Sequence, residues 1–170
     1  RLLSRGLGDV YKRQLLPFVD YPEGDGIFYP GGTLSNLASV CLAVQREKAD
    51  LATSVVIVSD HSHYSIGKAA RICGIQHILN VKTTTKGVVD LEHLRELVQK
   101  IKAENLNLIY FACILGATTL GTFDPVEEIL ATFQEFAIEP WIHLDAAWGG
   151  GVYFSLSLIH ISEPTRQKPI

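Results

Sequence analysis

Short apolar runs alternate with amphipathic stretches through the middle of the chain. Runs rich in β-branched and other apolar residues predict strands at 55–58, 77–81, 108–113 and 141–144. Between them, apolar residues recur at helical spacing and predict helices over about 31–48, 65–73, 90–103 and 125–136. Strands that alternate with helices indicate an α/β fold, with a mostly parallel sheet and helices on both faces.

Individual residues predict where some of these elements begin and end. Gly74 ends the second helix, because glycine readily adopts the left-handed conformation that follows many helices. Asp90 caps the third helix, and Asp124 caps the fourth in front of Pro125, which belongs in a first turn. The last strand, 141–144, is predicted to be buried on both faces of the sheet.

Composition and charge limit the classes of protein to consider. The chain has 170 residues, of which 47% are hydrophobic and 19% charged, which suits one domain or part of one. A net charge of −3 gives no electrostatic reason to expect a nucleic acid partner. No apolar run approaches the roughly 18 residues that a membrane helix needs. Three cysteines without metal-ligand spacing favour reduced thiols in a cytoplasmic protein.

The two ends of the chain differ from its middle. Residues 1–14 and about 156–170 follow no periodicity, and both are similar to translated sequencing-adapter sequence. The absence of methionine, with Arg1 as the first residue, favours a fragment. We therefore expect a partial domain at 15–155 between two artefactual tails. An Arg-rich transit peptide is the alternative for the first of these segments.

A glycine turn leads directly into the first predicted helix. Gly31 and Gly32 allow the backbone to approach a ligand closely, and the free N–H groups of the helix start would face it. With the hydroxyl of Ser35, this arrangement would form a phosphate cradle. The alternative is an ordinary turn in which Ser35 or Asn36 caps the helix.

Two further segments carry polar residues at the ends of predicted strands. After the strand 55–58, His63 could stack on an aromatic cofactor ring or act as an acid–base group. The alternatives are a loop without function or a metal site, for which His61, His63 and Asp60 supply too few ligands. After the strand 108–113, the hydroxyl of Thr118 could bind a ring hydroxyl or a phosphate, unless it belongs to a plain turn.

The last predicted strand runs directly into a carboxylate, Asp145. Ligands bind at the carboxyl ends of strands in open α/β sheets, and a buried carboxylate needs a cationic partner. Ala146 and Ala147 leave room for a flat group close to the backbone. A protonated pyridine ring, as in pyridoxal phosphate, fits both requirements. Alternatively, Asp145 caps the following helix or turn.

Four segments together resemble one enzyme family. They are GIFYPGGTLSN, SDHSHYSIGKAA, GATTLGTFDPVEEI and WIHLDAAWGGG, and they are similar in order and spacing to the group II pyridoxal-phosphate-dependent amino acid decarboxylases. This family contains the glutamate, cysteine sulfinate and aromatic-L-amino-acid decarboxylases. The resemblance covers about 26–155 and implies part of the large domain of a fold type I pyridoxal-phosphate-dependent transferase.

The resemblance implies a role for particular residues. The backbone of Leu34 and the hydroxyl of Ser35 would hold the cofactor phosphate. Thr118 would form a hydrogen bond near the ring hydroxyl or the adjoining carboxylate.

The same resemblance places the cofactor ring. His63 would stack on one face of it and Ala147 would lie against the other. Asp145 would keep the ring nitrogen protonated, so that His63 and Asp145 are the implied catalytic residues.

The implied activity is removal of the α-carboxylate from a small acidic amino acid such as glutamate, cysteine sulfinate or aspartate, by a homodimeric parent enzyme. His61 stands where the glutamate branch has glutamine, which leaves the substrate open. In this family the lysine that binds the cofactor covalently lies some distance after the DAAWGGG segment, and the resemblance does not extend to it in this chain. We therefore expect the isolated chain to be inactive. The alternatives are an aminotransferase or lyase of the same fold, or a non-catalytic truncated domain.

Overall fold

A computed structural model describes residue 16 and residues 24–153 of the chain. The predicted tails at 1–14 and 156–170 lie outside these residues. The chain divides into two units, 1–31 and 32–170, and the helices and strands that the structure describes here belong to the second. In chain order they are α1 (Gly32–Glu47), β1 (Ser54–Ser59), α2 (Tyr64–Ile72), β2 (His77–Val81), α3 (Leu91–Ala103), β3 (Asn107–Ile114), α4 (Val126–Glu135), β4 (Trp141–Asp145) and α5 (Gly150–Tyr153).

The strands form one parallel sheet in the order β2-β1-β3-β4. Because alternate residues of a strand point to opposite faces, each face has its own apolar cluster. Tyr110 of β3 packs on the face covered by α1 and α2, with Val40 and Ile66. Phe111 packs on the opposite face, with residues of α3 and α4, and meets Phe133 edge to face. The predicted α/β fold with helices on both faces is therefore confirmed.

The boundaries predicted for eight of these elements agree with the observed ones to within one residue at each end. Gly74 follows α2 with a φ of +84°, the left-handed conformation expected there. Asp90 caps α3, and its Oδ1 accepts hydrogen bonds from Glu92 N at 3.0 Å and His93 N at 3.3 Å. None of the helices within residues 24–153 is both long enough and apolar enough to cross a membrane.

The prediction that Asp124 caps α4 is wrong. Pro125 occupies the cap position, and no side chain forms a capping hydrogen bond there. Asp124 Oδ2 instead accepts from Ile114 N at 2.7 Å, and Oδ1 accepts from Val89 N at 3.0 Å. Both contacts are buried, where an unpaired N–H costs about 1–3 kcal/mol, so these donors hold the carboxylate in place.

The prediction that the last strand is buried on both faces is also wrong. β4 lies at an edge of the described sheet and pairs with β3, from Tyr110 opposite Trp141 to Ile114 opposite Asp145. Most of its residues are half-buried, and the side chain of Leu144 is 47% exposed. An edge strand has one neighbour, so an apolar sequence alone does not ensure burial.

Two of the cysteines lie close together, which their spacing in the sequence does not predict. Cys41 of α1 and Cys73 after α2 bring their Sγ atoms to 3.3 Å as free thiols. Burial, together with the hydrogen bond between Cys73 and Cys41, raises the pKa of Cys73 to about 11. Cys113 is buried in β3, and burial raises its pKa to about 12. Thiols with such pKa values stay protonated near neutral pH and are poor nucleophiles.

Candidate functional site

The carboxyl ends of β1, β3 and β4 converge with the start of α1 around one cavity of about 250 Å³. β1 and β3 are neighbours at the centre of the sheet. The connection after β1 leads to β2 on one side, and the connection after β3 leads to β4 on the other side. Because the two connections diverge, a crevice is left between the carboxyl ends of β1 and β3. Each of the four segments singled out in the sequence contributes to the lining, through Thr33, His63, Thr118 and Asp145.

The start of α1 forms one wall of the cavity. Gly32 is its first helical residue, so the N–H groups of its first turn have no partner within the helix. Gly32 and Thr33 line the cavity, whereas the side chains of Leu34, 44% exposed, and Ser35 lie at the exposed surface of the same turn. Neither Ser35 nor Asn36 precedes the helix, so the alternative in which one of them caps it is wrong.

His63 is itself the N-cap of α2. Its Nδ1 accepts a hydrogen bond from Ser65 N at 3.3 Å and lies 2.7 Å from Ser65 Oγ. The ring is exposed and tilted by 40° against that of Tyr64, with 4.4 Å between the centroids. The cap engages one ring nitrogen only and leaves the face of the imidazole available to the cavity.

The neighbouring His61 also lines the cavity. Asp60, which would have to join the two histidines in a metal site, is instead a hydrogen-bond acceptor of Asn80. Across residue 16 and residues 24–153, no three His, Cys, Asp or Glu side chains are placed to hold a metal ion.

Thr118 lies at the tip of the loop between β3 and α4. The loop is closed by an antiparallel bridge between Leu115 and Phe123 and by hydrogen bonds from Gly116 N and Ala117 N to Thr122 O, both 2.9 Å. The exposed Thr118 hydroxyl therefore lines the cavity from a loop with a defined backbone conformation.

Asp145 ends β4 with a half-buried carboxylate. Its Oδ2 accepts from Asn36 Nδ2 at 3.3 Å, and its Oδ1 accepts from Ala147 N at 3.1 Å. The second bond is an Asx-type turn, whereas α5 begins only at Gly150, so Asp145 orders a turn and caps no helix. Among the residues that the structure describes, no lysine or arginine forms an ion pair with Asp145.

A close backbone contact fixes the turn after Asp145. Gly149 N donates to Leu115 O at 3.0 Å, and a Cβ added to Gly149 would lie 2.2 Å from the same oxygen. A Cβ added to Gly116, whose φ is +91°, would likewise lie 2.5 Å from Gly149 N. Because these backbones touch, Ala147 and the 69% exposed Trp148 are held at the rim of the cavity.

Four polar residues behind Asp145 were not singled out as candidates for chemistry. Asn36 is only 5% exposed, and its Oδ1 lies 2.9 Å from His143 Nε2. His143 Nδ1 lies 3.0 Å from Ser39 Oγ, which accepts from the hydroxyl of Tyr110 at 3.2 Å. Their spacing contains a signal, since Asn36 and Ser39 share one face of a helix and His143 and Asp145 share one face of a strand.

Comparison with known proteins identifies the family. Residues 13–164 match the model of the pyridoxal-dependent decarboxylase conserved domain. The chain belongs to this family. This decarboxylase domain is 33% identical over 153 residues to an acidic amino acid decarboxylase of Xenopus tropicalis, covering 84% of the chain and 30% of that protein. It is 35% identical over 159 residues to a cysteine sulfinic acid decarboxylase of Homo sapiens, covering 88% of the chain and 32% of that protein.

Solved structures agree with the assignment. The crystal structure of mouse CSAD aligns with a TM-score of 0.81 at 30% identity, over 92% of this chain and 35% of that one. The decarboxylase domain described here therefore spans about a third of the length of the relatives that it matches. The predicted family and the predicted fold type I architecture are both confirmed.

The family's cofactor is pyridoxal phosphate, and the residues around the cavity fit it. An anionic phosphate suits the unpaired N–H groups at the start of α1. A protonated pyridine nitrogen suits Asp145, which has no cationic partner among residues 24–153. The small side chain of Ala147 and the exposed ring of His63 leave room for a flat ring in the cavity.

Proposed function

We propose that this domain belongs to an enzyme that removes the α-carboxylate of a small acidic amino acid with the help of pyridoxal phosphate. The observation that carries the proposal is the half-buried carboxylate of Asp145, which faces the cavity without a cationic partner in the described part of the chain. The sequence relatives, an acidic amino acid decarboxylase and a cysteine sulfinic acid decarboxylase, support the reaction and the substrate class.

Bound pyridoxal phosphate supplies an electron sink for the pair of electrons released when carbon dioxide leaves. In our proposal Asp145 holds a proton on the pyridine nitrogen, which keeps the ring able to accept those electrons. His63 would stack on one face of the ring and Ala147 would lie against the other. The small side chain at 147 allows the ring to approach the backbone close to Asp145.

The phosphate group is proposed to bind at the start of α1. The free N–H of Leu34 and the hydroxyl of Ser35 lie in the first turn, where the helix dipole favours an anion. On the opposite side, the Thr118 hydroxyl would bind the ring hydroxyl or the substrate carboxylate next to it. The position of Thr118 in the cavity lining supports this role.

The resemblance further implies a cytoplasmic homodimer, and we include both in the proposal. His61 is placed to contact a substrate or cofactor, since it lines the cavity two residues before His63. An imidazole at this position offers a different hydrogen-bonding pattern from an amide, so His61 is proposed to influence which acidic substrate is preferred.

The proposal is tested with the full-length protein that contains this domain. It is incubated with cysteine sulfinate, aspartate, glutamate and an aromatic amino acid, and carbon dioxide release is measured with and without pyridoxal phosphate. We expect cofactor-dependent release from at least one acidic substrate and little from the aromatic one. Amino-group transfer to a keto acid without carbon dioxide release would instead favour the aminotransferase alternative.

A further inference from the structure

Asn36 lines the cavity and occupies the centre of a branched chain of hydrogen bonds that extends behind Asp145. Its side chain contacts three others: Asp145 of β4, His143 of β4 and Ser65 of α2. Three secondary-structure elements thus meet at one buried amide. In the part of the chain that the structure describes, every buried side-chain nitrogen and oxygen atom has a hydrogen-bond partner.

The orientation of the Asn36 amide is determined by its neighbours. An ionised carboxylate only accepts hydrogen bonds, so the group that faces Asp145 Oδ2 at 3.3 Å must be the NH₂. The second hydrogen of the same NH₂ reaches Ser65 Oγ at 2.9 Å. The carbonyl oxygen Oδ1 therefore faces His143 Nε2 and can only accept.

This orientation fixes the proton on His143. Since Asn36 Oδ1 accepts, Nε2 of His143 must carry the hydrogen. Burial lowers the pKa of His143, while the nearby Asp145 raises it, and burial is the larger influence. The neutral ring then has a free lone pair on Nδ1, which accepts from Ser39 Oγ at 3.0 Å.

Every bond in the longer branch consequently points in one direction. The hydroxyl of Tyr110 donates to Ser39 Oγ at 3.2 Å, and Ser39 donates to His143. His143 donates to Asn36, and Asn36 donates to Asp145. Such a chain polarises each bond toward its end, which here is the carboxylate of Asp145.

The shorter branch reaches His63. Ser65 N donates to His63 Nδ1 at 3.3 Å, so this nitrogen has no proton of its own. Ser65 Oγ accepts from Asn36 and is then free to donate its own hydrogen to the same Nδ1 at 2.7 Å. The proton of a neutral His63 therefore lies on Nε2, the nitrogen that the helix cap leaves free.

We propose that Asn36 is a positioning residue that orients Asp145 and His63 together and holds His143 as its Nε2-protonated tautomer. Asn36 also lines the cavity, but its amide is engaged with Ser65, Asp145 and His143, so in this proposal it acts through Asp145 and His63. Its effect on cofactor binding rests on the proposed function. Its effect on the tautomer of His143 does not.

The tautomers can be measured directly in the 170-residue chain. Nitrogen-15 spectra of the imidazoles at pH 7.5, assigned with His63→Gln and His143→Gln variants, report which ring nitrogen carries a proton. We expect both rings to be protonated on Nε2. Protonation of His143 on Nδ1 in the wild-type chain would overturn the proposal, and this result does not depend on whether any variant of Asn36 folds.

The matched pair of variants is Asn36→Leu and Ser39→Ala, since both shorten the same network. In Asn36→Leu the only described partner left to His143 is Ser39, so we expect its proton to move to Nδ1. In Ser39→Ala, Asn36 still accepts from Nε2, so the tautomer stays as in the wild type. A purely structural role for Asn36 predicts the same tautomer in both variants, and that result would contradict the proposal.

Pyridoxamine 5′-phosphate, which cannot form a covalent bond with lysine, serves as the binding probe. We expect its affinity to fall about tenfold or more in Asn36→Leu, the loss usual for hydrogen bonds to a charged group, and to stay within about twofold in Ser39→Ala. Equal affinity in the wild type and Asn36→Leu would overturn the positioning role. A wild-type chain that does not bind the probe would count against the proposed function, while the tautomer measurement would still test Asn36.

Discussion

Asp124 and Asp145 are both located near the carboxyl ends of neighbouring strands, β3 and β4, but their surroundings differ. Asp124 is 8% exposed, and each of its oxygens accepts a backbone N–H, from Val89 and Ile114. Asp145 is half-buried and faces the cavity, and one of its two bonds comes from the side chain of Asn36.

The difference separates a structural carboxylate from one available to a ligand. Burial raises the pKa of Asp124, and the two backbone N–H groups oppose that rise. Those bonds link the end of β3 to the segment before α3, so the carboxylate of Asp124 serves to hold these two segments together. Asp145 has the same chemistry but retains capacity to bind a cation, which is why the two positions should respond differently to the same substitution.

The largest effect is expected for Asp145→Ala in the full-length enzyme. Loss of the carboxylate leaves the pyridine nitrogen without its partner, and we expect kcat/KM for decarboxylation to fall on the order of 10³-fold. The free energy of unfolding should change by less than about 1 kcal/mol, because Ala147 is exposed and Asn36 lines the cavity, where water can take the place of the carboxylate. Near-normal decarboxylation would remove Asp145 from the proposed mechanism.

Asp124→Ala should give the opposite pattern. It leaves two buried N–H groups without acceptors, each at a cost of about 1–3 kcal/mol, so we expect the free energy of unfolding to fall by about 3 kcal/mol. Urea unfolding of the 170-residue chain measures this, with Asp145→Ala as the matched control. Equal losses in the two variants would show that the contrast between the carboxylates is wrong.

A pair of glycine variants tests how firmly the turn beside Asp145 is held. Gly149→Ala places a Cβ against Leu115 O, whereas Gly151 has open space around it. We expect Gly149→Ala to destabilise the chain by about 1–3 kcal/mol and Gly151→Ala to change little. Thermal unfolding of the two variants side by side is the measurement, and a tolerated Gly149→Ala would mean that the two backbones can separate.

The smallest effect concerns the pH dependence of stability behind Asp145. The pKa of His143 in the folded state lies below its usual 6.5, chiefly because of burial. Between those two pKa values the unfolded state binds more protons, so this contribution to stability is present above pH 6.5 and is lost as the pH falls below it. Comparing urea unfolding of the wild type and His143→Gln at pH 7.5 and 5.5 isolates it. A steeper decline in the variant would contradict the assignment.

Local patterns in the sequence predicted most of the fold. The alternation of apolar runs and amphipathic helices located all four predicted strands, and Asp90 was correctly predicted as a cap because its partners lie two and three residues away. Asp124 was predicted wrongly because Val89, which is 35 residues distant, competes for it. The exposure of Leu144 depends on the position of β4 in the sheet, which no local pattern encodes.

Local patterns also predicted part of the candidate site. His63, Thr118 and Asp145 follow predicted strands, and all three line one cavity. The roles given to them, and to Leu34, Ser35 and Ala147, stay predictions. The hydrogen bond between Asn36 and His143 was not predicted. These residues are 107 positions apart and come into contact only because α1 packs on β4.

The packing of α1 on β4 determines when, during synthesis of the chain, the contact between Asn36 and Asp145 can form. Asn36 and Asp145 are 109 residues apart, and the helix that carries the amide is synthesised long before the strand that carries the carboxylate. On the ribosome, β1, β2 and β3 can pair before β4 is synthesised, and until then Asn36 lacks its partners His143 and Asp145. Asp145 joins the cofactor cavity only when β4 emerges and docks, so cofactor binding that depends on Asp145 would report that β4 has joined the sheet.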